Sequence, residues 1–334
     1  MKIKKNKTTL NLDLKNLSPI SISVYTRINH FKNCIKSLLK NDLAKHSILY
    51  IFSDAAKPGD EESVFKVREY AKSIKGFKKV NLIFQKKNNF KKNMQDFIQK
   101  AFEINGKNII LEDDIIVAKH FLRYMNEGLN KYEHHPKVYS VSGYFHPINH
   151  NVKDDYLFLR RMDGWSLGLW SKKYRKIKKK YSSKDLVSSY VYNWNMYKKL
   201  CDLSPNMITT LIDLSLREHQ PDDYFGLLYF IKYDKFGLYP TKSLARNMGH
   251  DGSGVNCNIS NKYKKIKIYQ GKINLNKEVI VKSNLAAEIK IGKYLFYPKK
   301  YKNLLYFFFN LLKYQFPKLR KFLKNLIKSS DIQL

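Results

Sequence analysis

The first 120 residues alternate between short apolar runs and stretches in which apolar residues recur every three or four positions. The apolar runs predict four strands, and the stretches between them predict three amphipathic helices. This order predicts an α/β fold, a mostly parallel sheet with helices on both faces and right-handed crossovers between strands. The predicted strands are Ile20–Tyr25, Ile48–Phe52, Val80–Phe84 and Asn108–Leu111.

Polar side chains follow three of these strands where each strand ends. Thr26 and Arg27 follow the first strand, and Asp54 follows the second. The acidic run Glu112–Asp114 ends the fourth. Ligands of such sheets bind beyond the carboxyl ends of the strands. A guanidinium suits phosphate, and paired acids suit a hard divalent cation, so this edge fits a nucleotide with a metal on its phosphates.

A purely structural role is the alternative for two of these acids. Asp54 and Asp114 each also fit as a cap or first residue of the segment that follows. Neither a G-x-G-x-x-G sequence after the first strand nor a G-x-x-x-x-G-K-[ST] sequence occurs, which disfavours the dinucleotide-binding and P-loop classes.

Charge adds a second indication. Lys and Arg number 63 against 28 Asp and Glu, a net charge of +35. This excess favours an anionic partner, namely nucleic acid, nucleotide phosphates or an acidic membrane surface. An AT-rich coding bias also enriches Lys, Asn and Ile, and such lysines only solvate the surface. A hydrophobic content of 43% excludes a disordered basic tail.

The cysteines and the apolar runs indicate the compartment. Three cysteines lie far apart without ligand-like spacing, which predicts neither a disulfide framework nor a zinc site and fits a reducing cytoplasm. Residues 1–18 lack the apolar stretch of a secretory signal. No apolar run approaches the roughly 20 residues that span a bilayer, so we expect a chain that is soluble or lies on a membrane.

The segment Ile109–Asp114 resembles the DxD-type segment of GT-A glycosyltransferases. The likeness is closest to N-acetylglucosaminyltransferases of N-glycan processing and to their bacterial relatives in surface-polysaccharide synthesis. Other segments agree in order, over about residues 18–257; they are Pro19–Arg27, Ser53-Asp54, Ser142–Tyr144, Gly164–Trp170, Asp223 and Tyr239–Cys257 with its run Asn247–Gly254.

The resemblance implies a GT-A fold, a nucleotide-sugar donor that is uridine-linked, a Mn²⁺ or Mg²⁺ cofactor and an inverting displacement. It implies Asp114 and His250 as metal ligands and Asp223 as the general base, since an attacking hydroxyl needs a carboxylate to take its proton. The donor-binding residues that we expect are Thr26, Arg27, Asp54, Glu112, Asp113, Trp165 and Ser253.

Several of these positions have alternatives. Relatives often carry Trp-Asp where this chain has Asp222-Asp223, so either aspartate is a candidate base, and the same residues also fit a helix N-terminus. The run His250–Gly254 fits a lid over the diphosphate or a plain glycine turn. Trp165 fits a sugar-binding wall or core packing, and for Trp170 we expect core packing. Asn88–Lys92 lacks the glycine that relatives have there.

The sequence predicts three regions, which are residues 1–17 as an N-terminal extension, 18–260 as the catalytic domain and 261–334 as a basic amphipathic region. Lys299–Lys328 holds nine basic residues and no acid, interleaved with apolar ones. This pattern is typical of interfacial helices on anionic lipid, broken here at Pro317, and a helix pair packed on the catalytic domain is the alternative. The basic run Lys172–Lys180 is typical of a solvated face, and contact with a charged acceptor or a membrane is the alternative.

Taken together, the sequence predicts a cytoplasmic, peripheral membrane glycosyltransferase that acts on a glycan or lipid-linked acceptor. A nucleotidyltransferase shares the sheet and the acidic metal ligands, but it usually needs a glycine-rich first loop, which Thr26–Asn29 is not. A nucleic-acid-binding protein explains the charge but not the acids gathered at strand ends, which repel phosphate unless a metal is bound.

Overall fold

The computed structural model describes residues 12–180, 183–203, 208, 212, 222–254, 259–263, 266–295 and 304–316. These residues form two compact units. The first comprises the described parts of Met1–Lys176 and Lys235–Asn284, and the second those of Ile177–Asp234 and Leu285–Leu334. The predicted boundaries at residues 17 and 260 separate regions by their expected function rather than by packing, and they stay predictions.

An eight-stranded mixed sheet forms the centre of the first unit. Its order is β3-β2-β1-β4-β8-β6-β9-β7, and the first four strands in that order are parallel. All four predicted strands are present, and the predicted α/β class is confirmed. The strands are β1 (Ile20–Val24), β2 (Ile48–Ser53), β3 (Lys79–Phe84), β4 (Lys107–Glu112), β6 (Val138–Ser142), β7 (Tyr156–Leu159), β8 (Leu167–Trp170) and β9 (Phe236–Pro240).

Helices cover both faces of this sheet. On one face, Ile22 joins a core cluster with residues of the first, second and fifth helices. On the other, the Phe52 ring meets Phe97 at 5.8 Å, and Asn108 Nδ2 donates to the Phe97 carbonyl at 3.3 Å. The helices of this unit are α1 (Ile28–Leu39), α2 (Glu61–Ser73), α3 (Phe90–Gln99), α4 (Phe102–Asn105), α5 (Phe121–Lys131) and the start of α6 (Ser171–Lys180), with a short 3-10 helix at Ala44–His46.

The register of the parallel strands aligns their ends. Val24 in β1 lies beside Ser53 in β2, and Ser23 lies beside Glu112 in β4. A second sheet pairs β5 (Ile115–Val117) with β10 (Ala245–Asn247) in antiparallel fashion. This pairing brings the residues after β10 to the end of β4, because the Met248 amide donates to the Asp114 carbonyl at 2.9 Å.

The sequence predicts that the basic run Lys172–Lys180 is solvated, and one residue of it instead contacts the protein interior. Lys173 donates from its ammonium group to the carbonyls of Tyr132, His135 and Val138, and burial lowers its pKa to about 8. Lys172, by contrast, is exposed as expected. Trp170 is buried in the core, as predicted, where its indole donates to the Leu129 carbonyl at 3.0 Å.

The second unit is built from helices in the part of the chain that the structure describes. Tyr190 donates to the Leu228 carbonyl at 2.5 Å and Lys199 to the Ile231 carbonyl at 3.2 Å, which tie its helices together. None of the helices that the structure describes is long and apolar enough to cross a membrane. The helices of this unit are α7 (Ser183–Val191), α8 (Trp194–Leu203), α9 (Asp222–Tyr233), α10 (Leu285–Leu295) and α11 (Leu304–Gln315).

Gly143, directly after β6, is expected to tolerate no side chain. Its amide donates to the Ser166 carbonyl at 3.0 Å, and an added Cβ would overlap the buried Phe121 ring. Gly143→Ala should therefore lower the free energy of unfolding by about 1–3 kcal/mol, the usual cost of overpacking, measured by urea denaturation. Gly168→Ala is the control, since its Cβ first meets the flexible Met125 Cε at 3.0 Å. A smaller loss for Gly143→Ala than for the control would contradict this account.

Candidate active site

Arg27 and two acids form the centre of the site. Arg27 lies at the N-cap of α1, just beyond β1, and the two acids follow β4. The Arg27 guanidinium pairs with Asp113 through Nη2 and Nε, and its Nη1 lies 2.9 Å from Asp114 Oδ2. The two carboxylates are almost completely buried. The parallel strand ends thus bring together the charges that the sequence predicts at this edge.

Two opposing effects act on the carboxylates of this cluster, namely burial and pairing with the Arg27 guanidinium. Burial raises the pKa of Asp113 to about 6, although Arg27 acts in the opposite direction. Buried charges are tolerated only when they are paired or bind a metal, so the single guanidinium serves both acids. One oxygen is left over. Asp114 Oδ1 is buried and accepts no hydrogen bond from any residue that the structure describes.

The segment after β10 closes on this cluster at Gly249. A Cβ at this position would overlap Asp114 Oδ2, and it would lie 3.0 Å from Arg27 Nη1. The Gly249 amide donates to Asn247 Oδ1 at 2.7 Å, which fixes the turn. Only glycine therefore lets the backbone pass this close to the two charged groups.

Aromatic rings surround His250. Its imidazole stacks on Tyr263 at 4.2 Å and meets Trp165 at 5.5 Å, and Trp165 in turn contacts Tyr144 at 4.9 Å. Within the described residues, His250 Nε2 is buried without a hydrogen-bond partner. Trp165 is only half-buried, so part of its surface faces the solvent beside a histidine that follows Gly249 directly.

His30 is a residue of the site that the sequence analysis did not identify. It lies in the first turn of α1, and its Nε2 is 2.9 Å from Asp251 Oδ2 and 3.3 Å from Ser253 Oγ. Ser253 also donates to Asp251 Oδ1 at 2.6 Å. These contacts hold the segment His250–Gly254 against α1. The partners are more than 220 residues apart, so no local pattern signals the pairing.

Two buried atoms lack a hydrogen-bond partner among the described residues. They fit a divalent cation that takes only part of its coordination shell from the protein. No three His, Cys, Asp or Glu residues are grouped as a metal site in the described ranges. Asp114 Oδ1 and His250 Nε2 are, however, both ligand atoms of suitable type. Ions of the Mg²⁺ type in nucleotide enzymes commonly take one or two protein ligands and complete their shell with phosphate oxygens and water.

Asp54 is engaged with backbone rather than open to a ligand. Its Oδ1 accepts from the amides of Ala55 and Asn89, each at 2.9 Å, and the side chain is buried. Asn89 in turn caps α3 by accepting from the Lys92 amide at 2.9 Å. This geometry supports the structural alternative for Asp54, and it shows how the chain forms the turn after β3, where Asn88–Lys92 contains no glycine.

A buried ion network precedes Trp165. Asp163 lies 3.1 Å from Arg161 Nη2 and 3.2 Å from His146 Nε2, and it accepts from the Tyr239 hydroxyl at 3.0 Å. Burial acts against the ionised form of Asp163, but Arg161 and His146 outweigh it and hold its pKa well below the usual range. The next segment contains Ser166 at a φ of +56°, a strained value for serine that is typical of functional turns.

The remaining predicted residues have separate positions. Thr26 lies in the turn between β1 and α1, where its carbonyl accepts a hydrogen bond from the Ile28 amide at 3.1 Å. Glu112 is the exposed last residue of β4. Asp223 belongs to α9 in the second unit, and its side chain lies outside the described residues. Its role as a base stays a prediction.

Comparisons with known proteins give distant likenesses. The chain matches no protein-family model, and no curated protein matches it in sequence. Solved structures similar to part of it include a mannosyltransferase, PcManGT from Pyrobaculum calidifontis, in complex with GDP-Man and Mn²⁺. That enzyme is 10% identical, with 66% of this chain and 71% of its own covered and a TM-score of 0.36.

Two further similar structures are larger than the matched region. TarS of S. aureus is 11% identical, with 71% of this chain and 37% of its own covered and a TM-score of 0.37. The apo form of the glycosyltransferase GlyE of Streptococcus pneumoniae TIGR4 is 13% identical, with 66% and 44% covered and a TM-score of 0.30. The chain thus spans less than half of either. The residues of the site, rather than these likenesses, support the function proposed below.

His30→Ala should loosen the segment His250–Gly254. The variant loses the contacts to Asp251 and Ser253, which for exposed polar side chains are worth about 0.2–1 kcal/mol. Backbone amides of the segment should exchange with deuterium about 1.4- to 5-fold faster, measured by mass spectrometry of its peptides. His134→Ala, at an exposed histidine, is the control and should change nothing. Unaltered exchange in His30→Ala would show that Gly249 and its neighbours hold the segment alone.

Proposed function

We propose that the chain is a glycosyltransferase that moves a sugar from a nucleotide-sugar donor, uridine-linked, to a hydroxyl of a glycan or lipid-linked acceptor. The reaction is an inverting displacement, and the cofactor is Mn²⁺ or Mg²⁺. Transfer of a hexosyl or N-acetylhexosaminyl group in surface-polysaccharide synthesis fits the sequence resemblance. The enzyme acts in the cytoplasm as a peripheral protein on the inner face of the membrane.

One observation carries this proposal. Asp114 Oδ1 is a buried carboxylate oxygen without a partner among the described residues, and it lies at the carboxyl end of a central parallel strand. A buried acceptor that lacks a partner costs free energy unless a ligand supplies one. The position is the usual ligand edge of such sheets, and Arg27 already pairs with the other oxygen of the same carboxylate.

The chain's own residues arrange the donor. Asp114 and His250 would hold the divalent cation, which when bound neutralises the charge that develops on the departing diphosphate. Arg27 fixes the orientation of both acids through its planar guanidinium, and Gly249 leaves space at the Asp114 carboxylate. The half-buried Trp165 offers an aromatic face beside His250, which suits the apolar face of a sugar ring.

Proton removal from the acceptor needs a separate carboxylate. Asp223 is the proposed base, and its backbone lies in the first turn of α9, which begins at Asp222. The alternative role of these residues at a helix N-terminus is thus also satisfied, because acids stabilise the first turn through the helix dipole. One residue can act both as the base and as a stabiliser of the first helical turn. Loss of the base slows turnover, whereas loss of the helix contact does not.

Asp114→Ala should strongly weaken metal-dependent donor binding while the protein stays folded. The change removes a ligand at a strand end, and Arg27 keeps Asp113 as a partner. We expect UDP in the presence of Mn²⁺ to bind at least about tenfold more weakly, or ~1.4 kcal/mol, by titration calorimetry. Asp42→Ala removes an exposed acid that pairs with Arg123 and should leave UDP binding unchanged. Equal UDP affinity in the Asp114 variant and the wild type would refute the assignment.

Asp223→Asn should slow turnover with little change in donor affinity. General-base catalysis typically contributes about 10²- to 10⁴-fold, and kcat should fall within that range. Asp222→Asn is a matched control, because it removes the same charge from the same helix end, where a carboxylate is worth only about 0.3–1 kcal/mol of stability. If Asp222→Asn is the slow variant, the base is Asp222, and two fast variants would exclude a base at this helix end.

A product assay separates the two other functions that the sequence permits. A nucleotidyltransferase would release pyrophosphate from a nucleoside triphosphate and a sugar phosphate, whereas a glycosyltransferase releases a nucleoside diphosphate. A nucleic-acid-binding protein would be retained on DNA in a salt-dependent way without binding nucleotide sugars. Release of UDP from a UDP-sugar only with Mn²⁺ or Mg²⁺ supports the proposed function over both.

A further inference from the structure

The helix α11 in the second unit has two unlike faces. On its inner face Phe307 is 8% exposed and Asn310 is 2% exposed. Asn310 Nδ2 donates to the Tyr197 hydroxyl at 3.2 Å, and the Phe307 ring meets Trp194 at 5.4 Å and Tyr197 at 5.2 Å. This face anchors the helix to α8 within the same unit.

The outer face of α11 is apolar yet exposed. It carries six of the sixteen exposed large hydrophobic side chains found in the described residues, within only thirteen positions. The spacing of four residues aligns most of them along one side of a helix. Single exposed apolar residues are normal, but a contiguous patch marks an interaction surface. The residues are Leu304 (55%), Leu305 (77%), Phe308 (55%), Phe309 (38%), Leu312 (47%) and, just after the helix, Phe316 (54%).

We propose that this outer face of α11 binds the surface of an anionic membrane. The charge of the surrounding sequence selects lipid as the occupant. Residues 299–328 contain nine Lys and Arg and no Asp or Glu, so the segment around the patch is attracted to anionic headgroups. Helices that lie in the membrane interface typically carry leucine and phenylalanine on one side and cationic residues in the same segment.

The two faces of α11 are compatible with both alternatives that the sequence leaves open. A helix packed only on protein would bury its apolar side chains, and a free interfacial helix would contact no neighbour. Here the inner face holds the helix in its unit through Phe307 and Asn310, and the outer face is left for lipid. The membrane therefore contacts a folded surface rather than a detached tail.

This surface also indicates where an acceptor would be met. The helix α7 contacts both α11 and α9, and α9 carries the aspartates proposed as the base. The unit that binds lipid is thus the unit that carries the proposed base. An acceptor anchored in the membrane suits that arrangement, a consequence that rests on the proposed function, whereas lipid binding itself does not.

Vesicle co-sedimentation of the full chain tests the proposal. The probe is vesicles of phosphatidylcholine with 30% phosphatidylglycerol, compared with pure phosphatidylcholine, and the anionic vesicles should bind the wild type more tightly. The triple variant Leu305→Gln, Phe308→Gln, Leu312→Gln removes apolar contacts from exposed positions and should bind anionic vesicles at least about tenfold more weakly. The matched control, Phe65→Gln, Ile104→Gln, Ile280→Gln, changes three exposed residues elsewhere and should bind like the wild type.

Two results would overturn the proposal, and a third would assign the surface to a different partner. Wild-type affinity in the triple variant would overturn the proposal, as would equal binding to neutral and anionic vesicles. A dimer of the wild type by light scattering that becomes a monomer in the triple variant, with vesicle binding unchanged, would assign the face to a second copy of the chain. UDP binding with Mn²⁺ is measured on the same samples and should not change. Its absence in every sample would count against the proposed function but not against lipid binding.

Discussion

The Arg27 guanidinium lies between two carboxylates that are almost excluded from solvent, and the arrangement of the site depends on this ion cluster. Burial alone raises the pKa of Asp113, so the acids need a permanent cation beside them. Arginine supplies that charge together with a planar set of donors that can serve two acids at once. It leaves one oxygen of Asp114 without a hydrogen-bond partner among the described residues, and this oxygen is the proposed metal ligand.

The backbone near this cluster is shaped by the same constraint. The β5–β10 pairing carries the chain back to the end of β4, and Gly249 passes against Asp114 where a side chain would overlap it. The next residue is His250, so the close passage also determines where an imidazole is available. The segment then turns to His30, which holds it against the helix that begins after Arg27. One loop thus contacts both sides of the charged centre.

Two kinds of buried or half-buried polar group occur in the first unit. Asp163 has three side-chain partners, and Asp54 accepts from backbone amides on both sides of a turn. Such satisfied groups fix conformation, in one case that of the strained turn at Ser166 beside Trp165. Asp114 Oδ1 and His250 Nε2 lack partners among the described residues, and these are the two atoms that we propose as metal ligands.

The local pattern of apolar residues was sufficient for the α/β class and for the four strands within residues 1–112, because the period of burial follows directly from the geometry of strands and helices. It was also sufficient for the meeting of Arg27 with Asp113 and Asp114, since parallel strands end at one edge. The partners of His30, Asp163 and Asp54 depended on contacts between distant segments, for which a single sequence carries no local signal. Likewise, the pattern showed that α11 is amphipathic, but only packing against α8 selected which of its apolar side chains are buried and which remain exposed.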